Sequence, residues 1–258
     1  MAGIHSELNN GVLVIRLNRP DKYNSFNREM ALHLISELDK AAADSAVRCV
    51  VITGEGKAFC AGQDLSEAID PNGPGINKIV EEHYNPIILK IRNLEKPVIA
   101  AVNGVAAGAG ANIALACDIV YAGNSATFIQ AFSKIGLIPD SGGTFTLPRL
   151  VGLQLAGALM ITGDKITAAE ARAMGMIYKV FDDVQLMEET LKSAQQLAAM
   201  PTKAIGLTKR LLNQSWGNDL TGQLAAERDI QVESAQSYDY REGVKAFLEK
   251  RKPEFRGN

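Results

Sequence analysis

Residues 12–17 (VLVIRL), apolar and rich in β-branched side chains with Arg16 the one polar position, read as a strand, and the turn Asn18-Arg19-Pro20-Asp21 ends it. From Asn27 the pattern changes. Met30, Leu34, Ile35, Leu38, Ala41 and Ala42 recur at helical spacing, behind Asn27 as a cap and Glu29 in the first turn. The β-branched run at 47–53 and the apolar run at 98–102 have the pattern of strands buried on both faces. Short strands are predicted at 118–122 and 177–181, a helix over 78–93, and a buried helix over the Ala/Gly run 105–117. The polar stretch from Glu67 to Asn77 reads as a surface loop or lid. Strands alternating with helices predict an α/β fold with largely parallel pairing.

The pattern shifts at Met200-Pro201. Helices are predicted over 203–215, 221–237 and 240–250, the last with Asp239 and Glu242 at capping-box spacing and Val244, Phe247 and Leu248 on one face. Residues 1–200 therefore read as an α/β core and 201–258 as a helical region. That region packs either on another subunit or on its own core.

Composition narrows the function classes. The chain has 258 residues, 47% of them hydrophobic and 22% charged, enough for a sizeable core and too apolar for a disordered chain. Twenty-seven basic against 29 acidic residues leave a net charge of −2 and no electrostatic footprint for nucleic acid or a membrane surface. Cys49, Cys60 and Cys117 form no C-x-x-C pair, which fits a reducing, cytoplasmic compartment. His5, His33 and His83 lack metal-ligand spacing, so no metal site is expected. The N-terminus has neither a basic nor an apolar leader segment. The uncharged run 97–117 is broken by Pro97, Asn103, Asn112 and several glycines, the pattern of strand, turn and helix rather than of a membrane span.

Three glycine-rich turns follow apolar strands: GEGKAFCAGQDL at 54–65, NGVAAGAGANI at 103–113 and GLIPDSGGT at 136–144. The second opens a helix. Its amides near Gly108, Ala109 and Gly110 have no intrahelical acceptor, and small side chains let a ligand oxygen approach them. Such a run serves either an oxyanion site or tight helix packing. It is no dinucleotide fingerprint, because residue 113 is Ile, and no phosphate-binding P-loop occurs. In the first turn, Cys60 reads as a nucleophile or, with only Lys57 near it in sequence, as a small buried hydrophobe. In the third, Asp140 stands among Ile135, Leu137, Ile138, Phe145 and Leu147. Such surroundings raise a carboxyl pKa and suit a base; the alternative is an Asp capping the next helix.

In this order and spacing the turns resemble the enoyl-CoA hydratase/isomerase (crotonase) superfamily. The matching segments are LNRPDKYNSFN at 17–27, GKAFCAGQDL at 56–65, KPVIAAVNGVAAGAGANIALACDI at 96–119, FSKIGLIPDSGGTFTLPRLVG at 132–152 and SYDYREGVKAFLEKRKPEF at 237–255, so the resemblance spans nearly the whole chain. It implies a spiral of ββα turns and a C-terminal helical trimerisation region. It also implies an acyl-CoA site in which the Gln63 and Ala109 amides hold the thioester oxygen. Lys22 and Ala61 would border the adenine end of CoA, and Phe247 and Lys250 of an adjacent subunit the phosphate region, unless those lysines are ordinary solvated ones. The expected assembly is a homotrimer or a dimer of trimers, with other acyl-CoA pathway enzymes as further partners and no cofactor beyond the CoA of the substrate.

Departures from the family pattern bear on the chemistry. The two glutamates with which hydratases add water fall at Asn112 and Phe132, neither of which exchanges a proton at neutral pH. Asp140 remains, and one carboxylate suffices to move a proton between carbons. Asp140 in IPDSGGT is most similar to the ring-epoxide isomerases of phenylacetate catabolism, which convert 1,2-epoxyphenylacetyl-CoA to oxepin-CoA. That resemblance implies an acyl-CoA isomerase able also to shift a 3-enoyl-CoA to a 2-enoyl-CoA. The alternatives are an enoyl-CoA hydratase that recruits Glu67 or Asp70, a dehalogenase with Asp140 as nucleophile, and a non-catalytic acyl-CoA- or RNA-binding member.

Overall fold

A computed structural model describes residues 3–258. It opens on an antiparallel hairpin of β1 (Ile4–Asn9) and β2 (Val12–Leu17). The sequence pattern showed only β2, because β1 buries one residue, Ile4, and so has no alternation to display. Helix α1 (Arg28–Ala43) starts as predicted: the Asn27 side chain accepts the Met30 amide at 3.0 Å, and Met30, Leu34, Leu38 and Ala41 face inward.

From β3 the chain repeats one unit: a strand in a first sheet, a strand in a second, then helix. β3 (Cys49–Gly54) and β4 (Ala58–Cys60) lead into α2 (Leu65–Ala68) and a helical run of α3 (Gly75–Lys78), a π turn (Ile79–Tyr84) and α4 (Asn85–Asn93). β5 (Val98–Val102) and β6 (Val105–Ala107) lead into α5 (Ala109–Ala116). β7 (Ile119–Gly123) and β8 (Thr127–Ile129) lead into α6 (Gly143–Val151) and α7 (Leu153–Thr162). β9 (Lys165–Thr167), α8 (Ala168–Ala173), β10 (Lys179–Phe181) and α9 (Leu186–Ala198) close the spiral. The first sheet runs β1-β2-β3-β5-β7-β10, parallel after the hairpin. The second runs β4-β6-β8-β9, with only β9 antiparallel. This is the expected spiral of ββα turns.

The run 105–117 is not one helix. Val105–Ala107 pairs with β4 and β8, Gly108 turns at φ 53°, and helix begins at Ala109. Alanine suits either state, so strand partners distant in sequence decide between them. Along β3 the side chains alternate between two cores. Cys49 and Val51 pack with Ile99, Ala101, Tyr121 and α9, while Val50 and Ile52 join the larger core that holds α1, α4 and α5.

Three helices follow: α10 (Thr202–Gln214), α11 (Leu220–Ala235) and α12 (Tyr238–Leu248). Lys209 anchors α10. Its side chain is 6% exposed, and its Nζ donates to Asp118 Oδ2 and the Ile91 carbonyl, both at 2.7 Å; Asp118 also accepts the Val98 amide. Burial pushes the Lys209 pKa down, against the pull of Asp118. Removing Asp118 strands a buried ammonium. Asp118→Ala is expected to cost about 3 kcal/mol in urea unfolding, the low end for a broken buried pair because Asp118 is partly exposed. A loss below about 1 kcal/mol would mean that Lys209 finds water instead.

Asp239 and Glu242 do not form the predicted capping box. Ser237 caps α12 by accepting the Tyr240 amide at 3.0 Å. The C-terminal tail folds back and captures both acids. Asp239 accepts the amides of Arg256 and Gly257, at 2.6 and 2.8 Å. Glu242 takes the Arg251 guanidinium at 2.6 and 2.9 Å, which holds its pKa down to about 2. Helix α11 buries no residue, and Leu220, Leu224 and Val232 stand exposed along it.

Candidate active site

Two free backbone amides meet where β4 and β6 end. After Cys60 the chain turns through Gly62 at φ 93° to Gln63. Phe26 grips this turn from both sides: its amide donates to the Gly62 carbonyl at 2.7 Å, and its carbonyl accepts the Asp64 amide at 2.8 Å. The Gln63 amide between them meets no protein acceptor among the described residues. At the end of β6, the Gly108 amide donates to the Ile129 carbonyl, and Ala109 starts α5 with its own amide unpaired, as first-turn amides are. The turns touch. A Cβ on Gly62 would lie 3.0 Å from the Ala107 oxygen and 3.6 Å from the Ala109 nitrogen, and one on Gly110 would lie 2.3 Å from the Cys60 carbonyl oxygen. Glycine at 110 is what lets α5 begin this close to β4. The result is a pair of fixed donors at the positive end of a helix, suited to a developing oxyanion.

The Gln63 side chain enters a partly buried network. Its Oε1 accepts the Tyr84 hydroxyl at 2.8 Å, and its Nε2 donates to Glu67 at 3.0 Å. Glu67 in turn accepts the Arg28 amide through both oxygens, at 2.9 and 3.1 Å, closing the N-terminus of α1. Sequence reasoning missed Tyr84, which lies in the charged stretch EEHYN with nothing local to mark it. Asp64, next in the chain, pairs with Arg19 at 2.9 Å; burial pushes its pKa up, but the Arg19 bond and the Ser66 amide pull it below the usual range.

Asp140 lies in the loop before α6, half-buried, its carboxylate accepting the Ser141 hydroxyl at 2.8 Å. Burial raises its pKa, and the Ser141 bond opposes that only in part. The side chain does not cap α6, whose cap residue is Gly142. Asn112, 2% exposed and three residues beyond Ala109 on α5, reaches this loop: its Nδ2 donates to the Asp140 carbonyl at 2.8 Å. Phe132 is buried beside Gly108, its ring edge 3.8 Å from where a Cβ there would be. Gln63, Ala109 and Asp140 are thus gathered around one turn of α5.

A family model described as enoyl-CoA hydratase/isomerase matches residues 7–258. The chain belongs to this enoyl-CoA hydratase/isomerase family. It is 48% identical to the 1,2-epoxyphenylacetyl-CoA isomerase of Escherichia coli, over 100% of this chain and 99% of that one. It is 37% identical to the 2,3-dehydroadipyl-CoA hydratase of Escherichia coli, over 95% of each. The crystal structure of an enoyl-CoA hydratase from Bacillus anthracis superposes with a TM-score of 0.92 at 33% identity, covering 99% of this chain and 100% of that one.

The CoA-binding residues expected of an enoyl-CoA hydratase/isomerase divide into two groups. Lys22 is exposed in a short turn whose Tyr23 carbonyl accepts the Ala61 amide at 2.9 Å, so Lys22 and Ala61 adjoin each other and the Gln63 turn. Phe247, 82% exposed, and Lys250 lie at the end of α12 and hydrogen-bond to no residue of that group. Cys60 is buried and its thiol pushed up to about 12 by that burial, so it fits the small-hydrophobe reading and not the nucleophile. Among the described residues no three His, Cys, Asp or Glu side chains form a metal-binding group.

Proposed function

We infer that this enzyme is an acyl-CoA isomerase that holds a thioester enolate on the Gln63 and Ala109 amides and shuttles one proton with Asp140. The observation that carries this reading is Asp140, a half-buried carboxylate in a loop that Asn112 ties to the helix presenting the Ala109 amide; burial raises its pKa. Of the acids that a hydratase could recruit, Glu67 is occupied by the Arg28 amide and the Gln63 side chain, and Asp70 is exposed with one oxygen on the Asn72 amide. For a 3-enoyl-CoA, Asp140 takes the proton at C2, the electrons pass into the thioester oxygen, and the same proton returns at C4. The 48% identity to 1,2-epoxyphenylacetyl-CoA isomerase supports the ring epoxide as substrate and oxepin-CoA as product. In this reading Lys22 and Ala61 border the adenine end of CoA. Residues 201–258 join subunits into a trimer or a dimer of trimers, which lets Phe247 and Lys250 serve a neighbour. The exposed apolar positions of α11 and α12 support that assembly.

The deciding experiment follows the conjugated-thioester absorbance with two substrates. With a 3-enoyl-CoA it is expected to rise, and with crotonyl-CoA to stay constant. The rate with the first should fall on acidification along a limb lying above the ordinary carboxyl range, because burial favours the protonated, inactive Asp140. Rapid loss of crotonyl-CoA absorbance would replace this reading with a hydratase.

A further inference from the structure

Asn112 stands where this family's hydratases carry an acid, yet the structure gives each of its side-chain polar atoms a partner. Its Nδ2 donates to the Asp140 backbone carbonyl and its Oδ1 accepts from Gln130 Nε2, both at 2.8 Å, and Asn112 and Gln130 are 2% and 5% exposed. The direction of this chain is forced. A peptide carbonyl only accepts, so Asn112 must offer it the amino group; the Asn112 oxygen then faces Gln130, which must offer its own amino group. Either amide reversed would oppose two oxygens or two amino groups. Gly143 closes the other side, where a Cβ would come within 2.4 Å of Asn112 Nδ2. The amide of Asn112 itself bonds to the Gly108 carbonyl, inside the turn that presents the Ala109 amide.

We propose that the Gln130–Asn112 amide pair is a positioning device that fixes the Asp140 peptide to the helix carrying the oxyanion donor, so that base and donor hold one spacing. Asn112 acts through Asp140 and does not touch the reacting carbons. This assignment rests on Asp140 being the base. The oxyanion amides stabilise charge without regard to the loop, but proton transfer requires the carboxylate within hydrogen-bond reach of C2 and C4 in turn.

The test uses full-length Asn112→Ala, Gln130→Ala and the double variant. Steady-state isomerisation of a 3-enoyl-CoA should show kcat lowered about 10- to 100-fold in Asn112→Ala with KM within about threefold, the scale of a misplaced catalytic group. Gln130→Ala should lower kcat less. The double variant should match Asn112→Ala, because Gln130 acts only by orienting Asn112. A purely structural role would instead give additive losses and a KM that rises with them. The second readout needs no turnover: amide hydrogen exchange over 140–143 should quicken in Asn112→Ala while α1 and β3 stay protected. Unchanged exchange in that loop, or kcat within twofold of wild type, overturns the proposal. Faster exchange with a wild type that fails to isomerise would leave the clamp standing and remove the functional reading instead.

Discussion

Asp140→Asn is expected to lower kcat for double-bond migration by roughly 10²–10⁴-fold, the usual contribution of a positioned general base. Asparagine keeps the shape of the side chain and can still accept the Ser141 hydroxyl, so KM should change little, but its amide cannot take a proton. Stability should move the other way. Burial raises the Asp140 pKa, so the folded protein binds that proton more tightly than the unfolded chain does. Stability linked to this group is therefore highest when it is protonated and falls as pH rises from the unfolded value, about 3.9, through the raised folded one. At neutral pH the ionised form is a cost that asparagine does not carry. The variant should thus melt no lower than wild type at pH 7 while being nearly inactive. An inactive variant that also melts several degrees lower would indicate collapse of the loop, and one keeping more than a tenth of wild-type kcat would remove Asp140 as the base.

Ala109→Pro should cost about 10²–10³-fold in kcat, the range for losing one oxyanion donor. A side-chain deletion cannot probe a backbone N–H, but proline removes it. Position 109 tolerates proline because it is the first residue of α5, where the amide has no intrahelical acceptor to lose. The preceding residue is glycine, which relaxes the usual restriction before proline. The fold should therefore survive, with melting temperature and α5 exchange protection close to wild type. The ring also places a methylene where the thioester oxygen would sit, so KM is expected to rise together with the fall in kcat. Wild-type turnover in a folded Ala109→Pro protein would show that the Gln63 amide suffices or that the oxygen binds elsewhere.

Much of this fold was legible from periodicity. β2, α1, β3 and β5 show their burial directly in the sequence, since each has a face or faces packed within its own length. The second sheet was not legible: β4, β6, β8 and β9 have three residues each, and a period of two cannot show itself in three positions. The paired amides were foreseen from glycine placement and the helix start, with the resemblance joining two turns some 46 residues apart (63 and 109). Tyr84 and the Gln130–Asn112 pair were not foreseen, because side-chain amides and hydroxyls bond by direction and distance that no one-dimensional pattern encodes. The Asp239–Glu242 spacing misled for a related reason. A local cap motif competes with any distant donor, and here the returning tail supplied Arg251 and three backbone amides.

The packing around Asn112 also bears on how activities can interconvert within this scaffold. A glutamate at 112 would have to displace an amide already pressed against Gly143, would give up the bond to the Asp140 carbonyl, and would leave Gln130 facing a longer, charged neighbour. A second acid at 132 would replace an aromatic ring that fills the space beside Gly108. Each change alone damages the existing site before the other can create a new one. A mutational path from one proton-moving carboxylate to a water-adding pair is therefore expected to lose activity at its first step, and no change at 143 relieves it, because glycine already leaves residue 112 the most room there.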